Sequence, residues 1–329
     1  MKYRKLGKTD IDVSVIALGC WPFAGGRVWG DQDDEVSVAT VHAALNAGIT
    51  FFDTAEGYGS GHSEAVLGRG LAGCRQDVVI ATKVSAGHLA SDDVEKACDQ
   101  SLQYLDTDYI DLYQIHWPNW NVPLEETMTV LERLKQKGKV RAVGVCNFAI
   151  QDLSDVLELG AVETDQLPYS LLWRAIEHEI QPLCEEQDVG IICYSPLSQG
   201  VLTGRYENAD EVPDGIARSR LYADTRPMAV HGEPGCEAEV FEAVDEVGKI
   251  AEEVGEPMAT VALAWAMHQS AVTSLLVGAR TPEEVGWNLP AVDLELSEDV
   301  IARLDAATDR VKAYVGTNPD MWQSESRMR

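Results

Sequence analysis

Short apolar runs alternate with longer stretches of helical periodicity along most of the chain. Runs that are apolar throughout predict strands that are covered on both faces, as in a parallel sheet. There are eight of them: VIALGC (15–20), ITFFDT (49–54), VVIATK (78–83), IDLYQIH (110–116), VRAVGVCNF (140–148), ETDQL (163–167), VGIICYSPL (189–197) and SLLVGA (274–279).

The segments between these runs predict amphipathic helices. In residues 33–49, Val36, Thr40 and Ala44 fall on one helical face. Ser91 is a predicted N-cap for the third of these helices, and Gly138 is a predicted stop for the fourth.

Eight strand–helix repeats favour a closed (β/α)8 barrel of the TIM type in a single domain spanning residues 1–329. An open doubly wound sheet is the alternative, but it would normally carry GxGxxG after its first strand, and the sequence has none there. Polar–apolar alternation in residues 3–18 predicts a hairpin ahead of the barrel. Residues 198–236 form a predicted long loop after strand 7, read as a lid over cofactor or substrate. Residues 309–329 are a predicted C-terminal tail, either frayed or folded over the barrel mouth.

Charge and cysteine content limit the kinds of partner and cellular compartment that fit the chain. Lys plus Arg number 26 and Asp plus Glu number 54, so the net charge is −28, which repels nucleic acid and anionic membranes. The chain contains no apolar run of membrane-spanning length and no apolar segment typical of a signal peptide. Seven cysteines without a CxxC pair favour reduced thiols in a cytoplasmic protein and predict no metal site. The sequence carries no signal for the oligomeric state.

Polar residues end three successive predicted strands: Asp53, Lys83 and His116. Tyr58 follows in the loop after Asp53. Strand ends converge on one face of such a barrel, so these four side chains should meet. Each residue taken singly could have an ordinary structural role, such as a helix cap or a surface lysine. Burying all four side chains together is costly unless they pair with one another.

Paired in this way, the four groups fit carbonyl reduction by an external hydride donor. A lysine ammonium should lower the pKa of Tyr58 from its usual value of about 10 and make it a better proton donor. Asp53 would hold Lys83 charged, and neutral His116 would orient a carbonyl oxygen. Trp21, Trp29 and Trp117 follow the first and fourth strands and are candidate walls of a substrate pocket, although Trp29 could equally be rim packing.

Several motifs resemble those of the aldo-keto reductases. FFDTAEGYG (51–59), TK (82–83) and YIDLYQIHWP (109–118) resemble the active-site motifs of that family. VRAVGVCNF, YSPLSQGVLTGRY and LLVGARTPEEVGWNL extend the likeness over nearly the whole chain, most closely to the bacterial general-stress and sugar-related branch. The resemblance implies a barrel that binds a nicotinamide cofactor without a Rossmann motif. It implies Tyr58 as the proton donor, tuned by Lys83 and Asp53, with His116 orienting the carbonyl.

The resemblance also implies the cofactor contacts. Asn147 and Gln166 should hydrogen-bond the nicotinamide carboxamide, and Tyr194 should stack on its ring. Four further residues should lie along the pyrophosphate: Ser195, Leu197, Gln199 and Gly200. Four others should surround the adenosine: Gly278, Arg280, Glu284 and Asn288.

The choice of cofactor and the function class leave alternatives open. Arg280 could hold the 2′-phosphate of NADP(H), whereas Glu284 could accept from the free ribose hydroxyl of NAD(H). NADP(H) is therefore favoured and NAD(H) is possible, and the substrate would be a small aldehyde or ketone, sugar-derived ones included. A slow-turnover, cofactor-binding regulatory subunit, like those of some ion channels, is the alternative. A barrel hydrolase would need paired acids at strand ends, and only Asp53 qualifies.

Overall fold

The N-terminal residues form a two-stranded antiparallel hairpin. The computed structural model describes the backbone of residues 1–329 and the side chains of residues 1–26 and 28–329. Strand β1 (Tyr3–Lys5) pairs with β2 (Asp12–Ser14). Leu6 and Val13 of this hairpin are buried against the inner barrel residues Ala17 and Phe51. The predicted hairpin is confirmed, and it closes the N-terminal end of the barrel.

Eight parallel strands close into a barrel, which confirms the predicted (β/α)8 fold. Their hydrogen-bonded order follows the sequence, and the last strand pairs with the first. The strands are β3 (Ile16–Gly19), β4 (Phe51–Asp53), β5 (Val79–Val84), β6 (Ile110–Ile115), β7 (Val140–Cys146), β8 (Thr164–Pro168), β9 (Gly190–Tyr194) and β10 (Val272–Gly278).

Helices surround the barrel and bury a second apolar layer against it. Leu131 and Val41, for example, are fully buried on its outer side, whereas Leu112 and Ala142 fill its interior. The helices are α1 (Gly26–Trp29), α2 (Asp34–Asn46), α3 (His62–Gly70), α4 (Ser91–Leu105), α5 (Leu124–Gln136), α6 (Ile150–Leu159), α7 (Ile180–Glu186), α8 (Glu237–Val254), α9 (Met258–His268), α10 (Pro282–Asn288) and α11 (Glu298–Val315). Among the residues described, no helix is both long and apolar enough to cross a membrane.

Local chemistry explains where particular helices begin and end. The N-cap of α2 is Asp33, whose carboxylate accepts from the backbone N–H groups of Glu35 and Val36 at 2.8 and 3.1 Å. Helix α5 ends before Gly138, which adopts a left-handed φ of 73° as its stop signal predicted. The prediction that Ser91 is an N-cap is wrong, because Ser91 is the first residue of α4 itself. Its N–H and hydroxyl both donate to the carboxylate of Glu126 in α5.

The two predicted irregular segments differ in their structure. Residues 198–236 contain only short 3-10 turns before α8 begins. The segment 309–329, predicted as a tail, is helical as far as Val315, because α11 continues the amphipathic pattern that precedes it. The residues after Val315 fold back on the protein, and Asp320, Met321 and Met328 are buried. The carbonyl oxygen of Arg329 accepts from the first backbone N–H groups of α6, which spans Ile150–Leu159.

Candidate active site

Three of the predicted site residues lie side by side on one rim of the barrel. Asp53 is the last residue of β4, and Lys83 lies one position before the end of β5. His116 directly follows β6, and its backbone N–H donates to the carbonyl oxygen of Val84 at 2.9 Å. Because the three strands are adjacent and parallel, their carboxyl ends bring these side chains to the same mouth.

A tight loop after β4 brings Tyr58 to this group. The backbone N–H of Tyr58 donates to the carbonyl oxygen of Ala55 at 3.0 Å, and Gly59, Ser60 and Gly61 all have positive φ. Such a run of left-handed residues favours glycine, and a Cβ at Gly61 would lie 2.2 Å from the Tyr104 ring. The sequence GYGSG therefore permits a turn that directs the tyrosine back over the barrel.

Lys83 is the centre of the resulting cluster and is fully buried. Its Nζ donates to Asp53 Oδ1 at 2.5 Å and to the carbonyl oxygen of Thr54 at 2.6 Å. It lies 3.5 Å from the hydroxyl oxygen of Tyr58. The Tyr58 and His116 rings meet edge to face, with centroids 5.7 Å apart. The structure thus brings together all four residues that the sequence selected.

Two glutamines complete the surroundings of the Asp53 carboxylate. Gln166 Nε2 donates to Asp53 Oδ2 at 2.8 Å, and Gln114 Nε2 donates to the same oxygen at 3.3 Å. Gln166 was expected to hydrogen-bond the nicotinamide carboxamide, and in the structure its amide nitrogen donates to Asp53. Sequence reasoning missed Gln114. Strand periodicity could have found it, because Gln114 lies two residues before His116 and so shares its face of β6.

The electrostatics of the cluster keep Tyr58 protonated and His116 neutral. Burial raises the pKa of Tyr58 to about 12, although the Lys83 ammonium acts in the opposite direction. The sequence-based expectation of a lowered pKa is therefore wrong for the protein alone, because desolvation outweighs the nearby cation. Burial, reinforced by Lys83, lowers the pKa of His116 to about 3. Burial disfavours the Lys83 ammonium, but Asp53 outweighs it, and the pKa of Lys83 is raised.

Asn147, which directly follows β7, and Tyr194, which ends β9, lie beside the cluster. Asn147 has a left-handed φ of 61°, and its Nδ2 donates to the carbonyl oxygen of His116 at 3.0 Å. The Tyr194 hydroxyl donates to Asn147 Oδ1 at 2.9 Å. A non-glycine residue in this conformation is held by its surroundings, which is common at functional sites. The two residues thus form one hydrogen-bonded unit beside the mouth.

The loop after β9 has an unusual left-handed backbone, and an arginine lies against it. Ser195, Ser198 and Gln199 have φ values of 53°, 47° and 56°, and Gly200 follows at 96°. A Cβ at Gly200 would lie 2.5 Å from a guanidinium nitrogen of Arg205, so this cation lies directly against the loop. Leu197 accepts from the Gly200 N–H through its carbonyl oxygen at 2.9 Å. Sequence reasoning passed over Arg205, although it lies in the same GVLTGRY motif.

Arg280 and Glu284 line a pocket of about 180 Å³ above the end of β10. Arg280 Nε donates to Gln32 Oε1 at 3.0 Å, and its Nη2 donates to the carbonyl oxygen of Asp31 at 2.7 Å. Glu284 Oε2 accepts from the backbone N–H of Arg280 at 2.7 Å. Gln32 lies 248 positions from Arg280 in sequence, so only the fold reveals their pairing. The pocket is lined by Gln32, Asp33, Val36, Arg280, Thr281 and Glu284.

Two of the predicted adenosine residues lie beside this pocket without lining it. Asn288 Nδ2 donates to the backbone carbonyl oxygen of Glu284 at 3.0 Å, one turn earlier in α10. Gly278 ends β10, and a Cβ there would lie 3.4 Å from the ring of Pro22. Gly278 therefore lies against the residues that follow β3.

Two of the predicted wall tryptophans form an aromatic cluster with Tyr58, and the third is covered by an arginine. Trp21 stacks on Tyr58 with centroids 6.0 Å apart, and Trp29 meets Trp21 edge to face at 5.3 Å. Trp117 is covered by the guanidinium of Arg327, whose Cζ lies 3.7 Å from the ring centroid. Arg327, which sequence reasoning did not select, is held in place by two hydrogen bonds of 2.8 Å to the buried Asp320.

Within the described side chains, no group of three or more His, Cys, Asp or Glu residues could hold a metal ion. All seven cysteines are free thiols, and six of them are buried. Burial raises the pKa of the Cys146 thiol, which lies next to Asn147 in the chain. Thiolate chemistry therefore has no support at the mouth.

Comparison with known proteins gives consistent matches along the chain. The model of the Aldo/keto reductase family matches residues 15–309. The NADH-specific methylglyoxal reductase of Escherichia coli (strain K12) is 34% identical over 321 residues, covering 91% of this chain and 95% of that protein. The solved glycerol dehydrogenase from Gluconobacter oxydans is 32% identical with a TM-score of 0.80, covering 96% and 97% of the two chains. An aldo/keto reductase from Klebsiella pneumoniae, solved with NADP and acetate, is 27% identical with a TM-score of 0.73, covering 93% of each chain.

Proposed function

Since the chain belongs to the aldo/keto reductase family, we propose that it reduces small aldehydes or ketones to alcohols with Tyr58 as the proton donor. As a member of this family it is an NAD(P)H-dependent oxidoreductase. The observation that carries the finer proposal is the buried Lys83–Asp53 pair, with the Tyr58 hydroxyl 3.5 Å from the ammonium and His116 against the tyrosine ring.

The residues along the mouth fit a nicotinamide dinucleotide. Arg205 beside the left-handed loop at Gly200 offers a cation to a pyrophosphate, and the hydrogen-bonded pair of Asn147 and Tyr194 offers an amide and a ring to the nicotinamide. Arg280 would hold a 2′-phosphate or stack on adenine, while Glu284 would accept from a free ribose hydroxyl. We therefore propose NADP(H) as the favoured cofactor and NAD(H) as a possible one. The named relatives span both, since one is NADH-specific and another was solved with NADP.

The chain's own groups would complete the reduction as follows. When bound, the reduced nicotinamide supplies a hydride to the carbonyl carbon. His116 is neutral, so its N–H can hydrogen-bond the carbonyl oxygen and orient it without competing as an acid. Tyr58 gives its proton to that oxygen, and the Lys83 ammonium stabilises the tyrosinate that forms. Asp53 keeps Lys83 charged and in place.

The outer walls favour a small substrate. Trp21 and Trp29 present aromatic surface beside Tyr58, and Trp117 with Arg327 is proposed as a further wall, which suits short aldehydes and ketones, sugar-derived ones included. The relatives act on compounds of this size, since one is a methylglyoxal reductase and another a glycerol dehydrogenase.

A steady-state assay tests the proposal. The purified protein is mixed with NADPH or NADH and with methylglyoxal, glyceraldehyde or an aromatic aldehyde, and cofactor absorbance is followed. We expect carbonyl-dependent oxidation of NADPH with at least one of them, and a lower rate with NADH. Tight cofactor binding without carbonyl-dependent oxidation across the panel would overturn the reductase proposal.

A further inference from the structure

Glu56 lies between Asp53 and Tyr58 in the chain and has no part in the chemistry described above. Its Oε1 accepts from the backbone N–H of Ser85 at 2.5 Å and from Nδ1 of His88 at 2.9 Å. Its own backbone N–H donates to the carbonyl oxygen of Lys83 at 3.4 Å. Glu56 therefore ties the loop that carries Tyr58 to the strand that carries Lys83 and to the loop that follows that strand.

The two loops also touch beside this carboxylate. A Cβ at Gly57 would be in van der Waals contact with Ser85 Oγ, at 3.6 Å. The side chain of Glu56 is only 15% exposed, whereas that of its partner His88 is 56% exposed. A largely buried carboxylate that accepts a backbone N–H forms a stronger hydrogen bond than a neutral acceptor would. This contact is therefore the main polar link between the two loops.

The position of the Tyr58 loop matters because any lengthening of the Tyr58–Lys83 distance would break their contact. Tyr58 Oη and Lys83 Nζ are 3.5 Å apart, at the outer limit of a hydrogen bond. Gly59 and Gly61, two of the three successive residues with positive φ in this loop, have little backbone preference of their own, so contacts from outside the loop help to fix its position. A displacement of about 1 Å at a reacting group can cost about 100-fold in rate.

We propose that Glu56 is a positioning residue that sets the distance between the Tyr58 hydroxyl and the Lys83 ammonium by holding the Tyr58 loop against Ser85. The inference rests on the proposed function, because it concerns the proton donor of that reaction. The hydrogen bonds of Glu56 include none of the residues proposed to hold the cofactor, so its effect should fall on turnover and not on cofactor affinity.

Glu126 supplies a matched control. Its Oε1 also accepts two hydrogen bonds across a loop, from the N–H and the hydroxyl of Ser91, at 2.8 and 2.7 Å. These contacts join α4 to α5 and include no residue of the Tyr58 loop. Removing the Glu126 carboxylate therefore removes the same number of hydrogen bonds without moving the tyrosine.

The test measures kcat, KM for a carbonyl substrate and Kd for NADPH in wild type, Glu56→Ala, Glu56→Gln and Glu126→Ala, with thermal unfolding as a check on folding. We expect Glu56→Ala to lower kcat about 10- to 100-fold and to leave Kd for NADPH within about twofold, since no cofactor contact is lost. Glu56→Gln keeps an acceptor for Ser85 and should stay within about fivefold of wild-type kcat. Glu126→Ala should stay within about twofold.

Three results would overturn the inference while leaving the proposed function intact. They are an unchanged kcat in Glu56→Ala, equal losses in Glu56→Ala and Glu126→Ala, and a loss in Glu56→Ala that Glu56→Gln does not relieve. A wild-type protein that binds NADPH but reduces no carbonyl is a different outcome. It overturns the proposed function and this inference with it.

Discussion

Replacing Lys83 by methionine tests the buried pair that organises the site. The lysine side chain is fully buried, and its Nζ makes short hydrogen bonds to Asp53 and to the carbonyl oxygen of Thr54. Methionine is of similar length, so little cavity forms, and the main loss is the partner of the Asp53 charge. Breaking a buried ion pair by removing one member costs about 3–5 kcal/mol. Gln166 and Gln114 still donate to Asp53, so we expect the lower end, about 3 kcal/mol.

A double variant separates the charge effect from packing. Asp53→Asn with Lys83→Met removes both charges, and such a neutral pair should cost about 1 kcal/mol or less. The assay is urea unfolding followed by tryptophan fluorescence, since Trp173 and Trp265 are buried in the core. The comparison is valid when the dependence of the unfolding free energy on urea is unchanged. A loss below about 1 kcal/mol in Lys83→Met, or a double variant less stable than the single one, would refute the reasoning.

Three further predictions concern the cofactor, pH and the substrate wall. In fluorescence titrations, Arg280→Ala should weaken NADPH binding by about 1.5–3 kcal/mol and barely change NADH binding. In the same titrations, Glu284→Gln should shift the preference of the protein towards NADPH. Equal weakening of both cofactors by Arg280→Ala would mean that the guanidinium does not bind the phosphate. Because the pKa of His116 is about 3 when folded and 6.5 in the unfolded chain, only the unfolded chain takes up this proton between these values. The free energy of unfolding should therefore fall as pH decreases. In urea unfolding, His116→Asn should reduce the dependence of this free energy on pH by at most about 1.4 kcal/mol per pH unit. The same pH dependence in wild type and variant would contradict the lowered pKa of His116. Trp21→Ala should raise KM for an aromatic aldehyde about tenfold and for methylglyoxal much less, in steady-state assays, and equal changes would place Trp21 outside the substrate wall.

The barrel and its cluster could be read from the sequence because their signals are local. A strand buried on both faces is apolar throughout, so a carboxylate such as Asp53 or a lysine such as Lys83 at its end stands out. Parallel strands then fix which ends meet, and Tyr58 follows within the same short loop. The sequence therefore predicted which residues converge on the mouth, although it did not predict the distances between them.

Long-range contacts and desolvation could not be read in the same way. Gln32 pairs with Arg280 only because β3 and β10 are neighbours in the closed barrel. Arg327 reaches Trp117 only because the chain after α11 folds back. The pKa of Tyr58 depends on how deeply its hydroxyl is buried, which outweighs the lysine that the sequence did reveal.

The proton-donor role of Tyr58 is the central claim, and single-turnover reduction by the Tyr58→Phe variant tests it most directly. Phenylalanine keeps the ring that contacts Trp21 and His116 and removes only the hydroxyl beside Lys83. NADPH is first bound at saturation and its affinity measured, and carbonyl substrate is then added in a stopped-flow instrument. We expect wild-type affinity for NADPH and a rate of cofactor oxidation lower by at least about 100-fold, the lower end of the range for general acid catalysis. A near wild-type rate of oxidation with bound NADPH would contradict the account, because the proton would then come from another group.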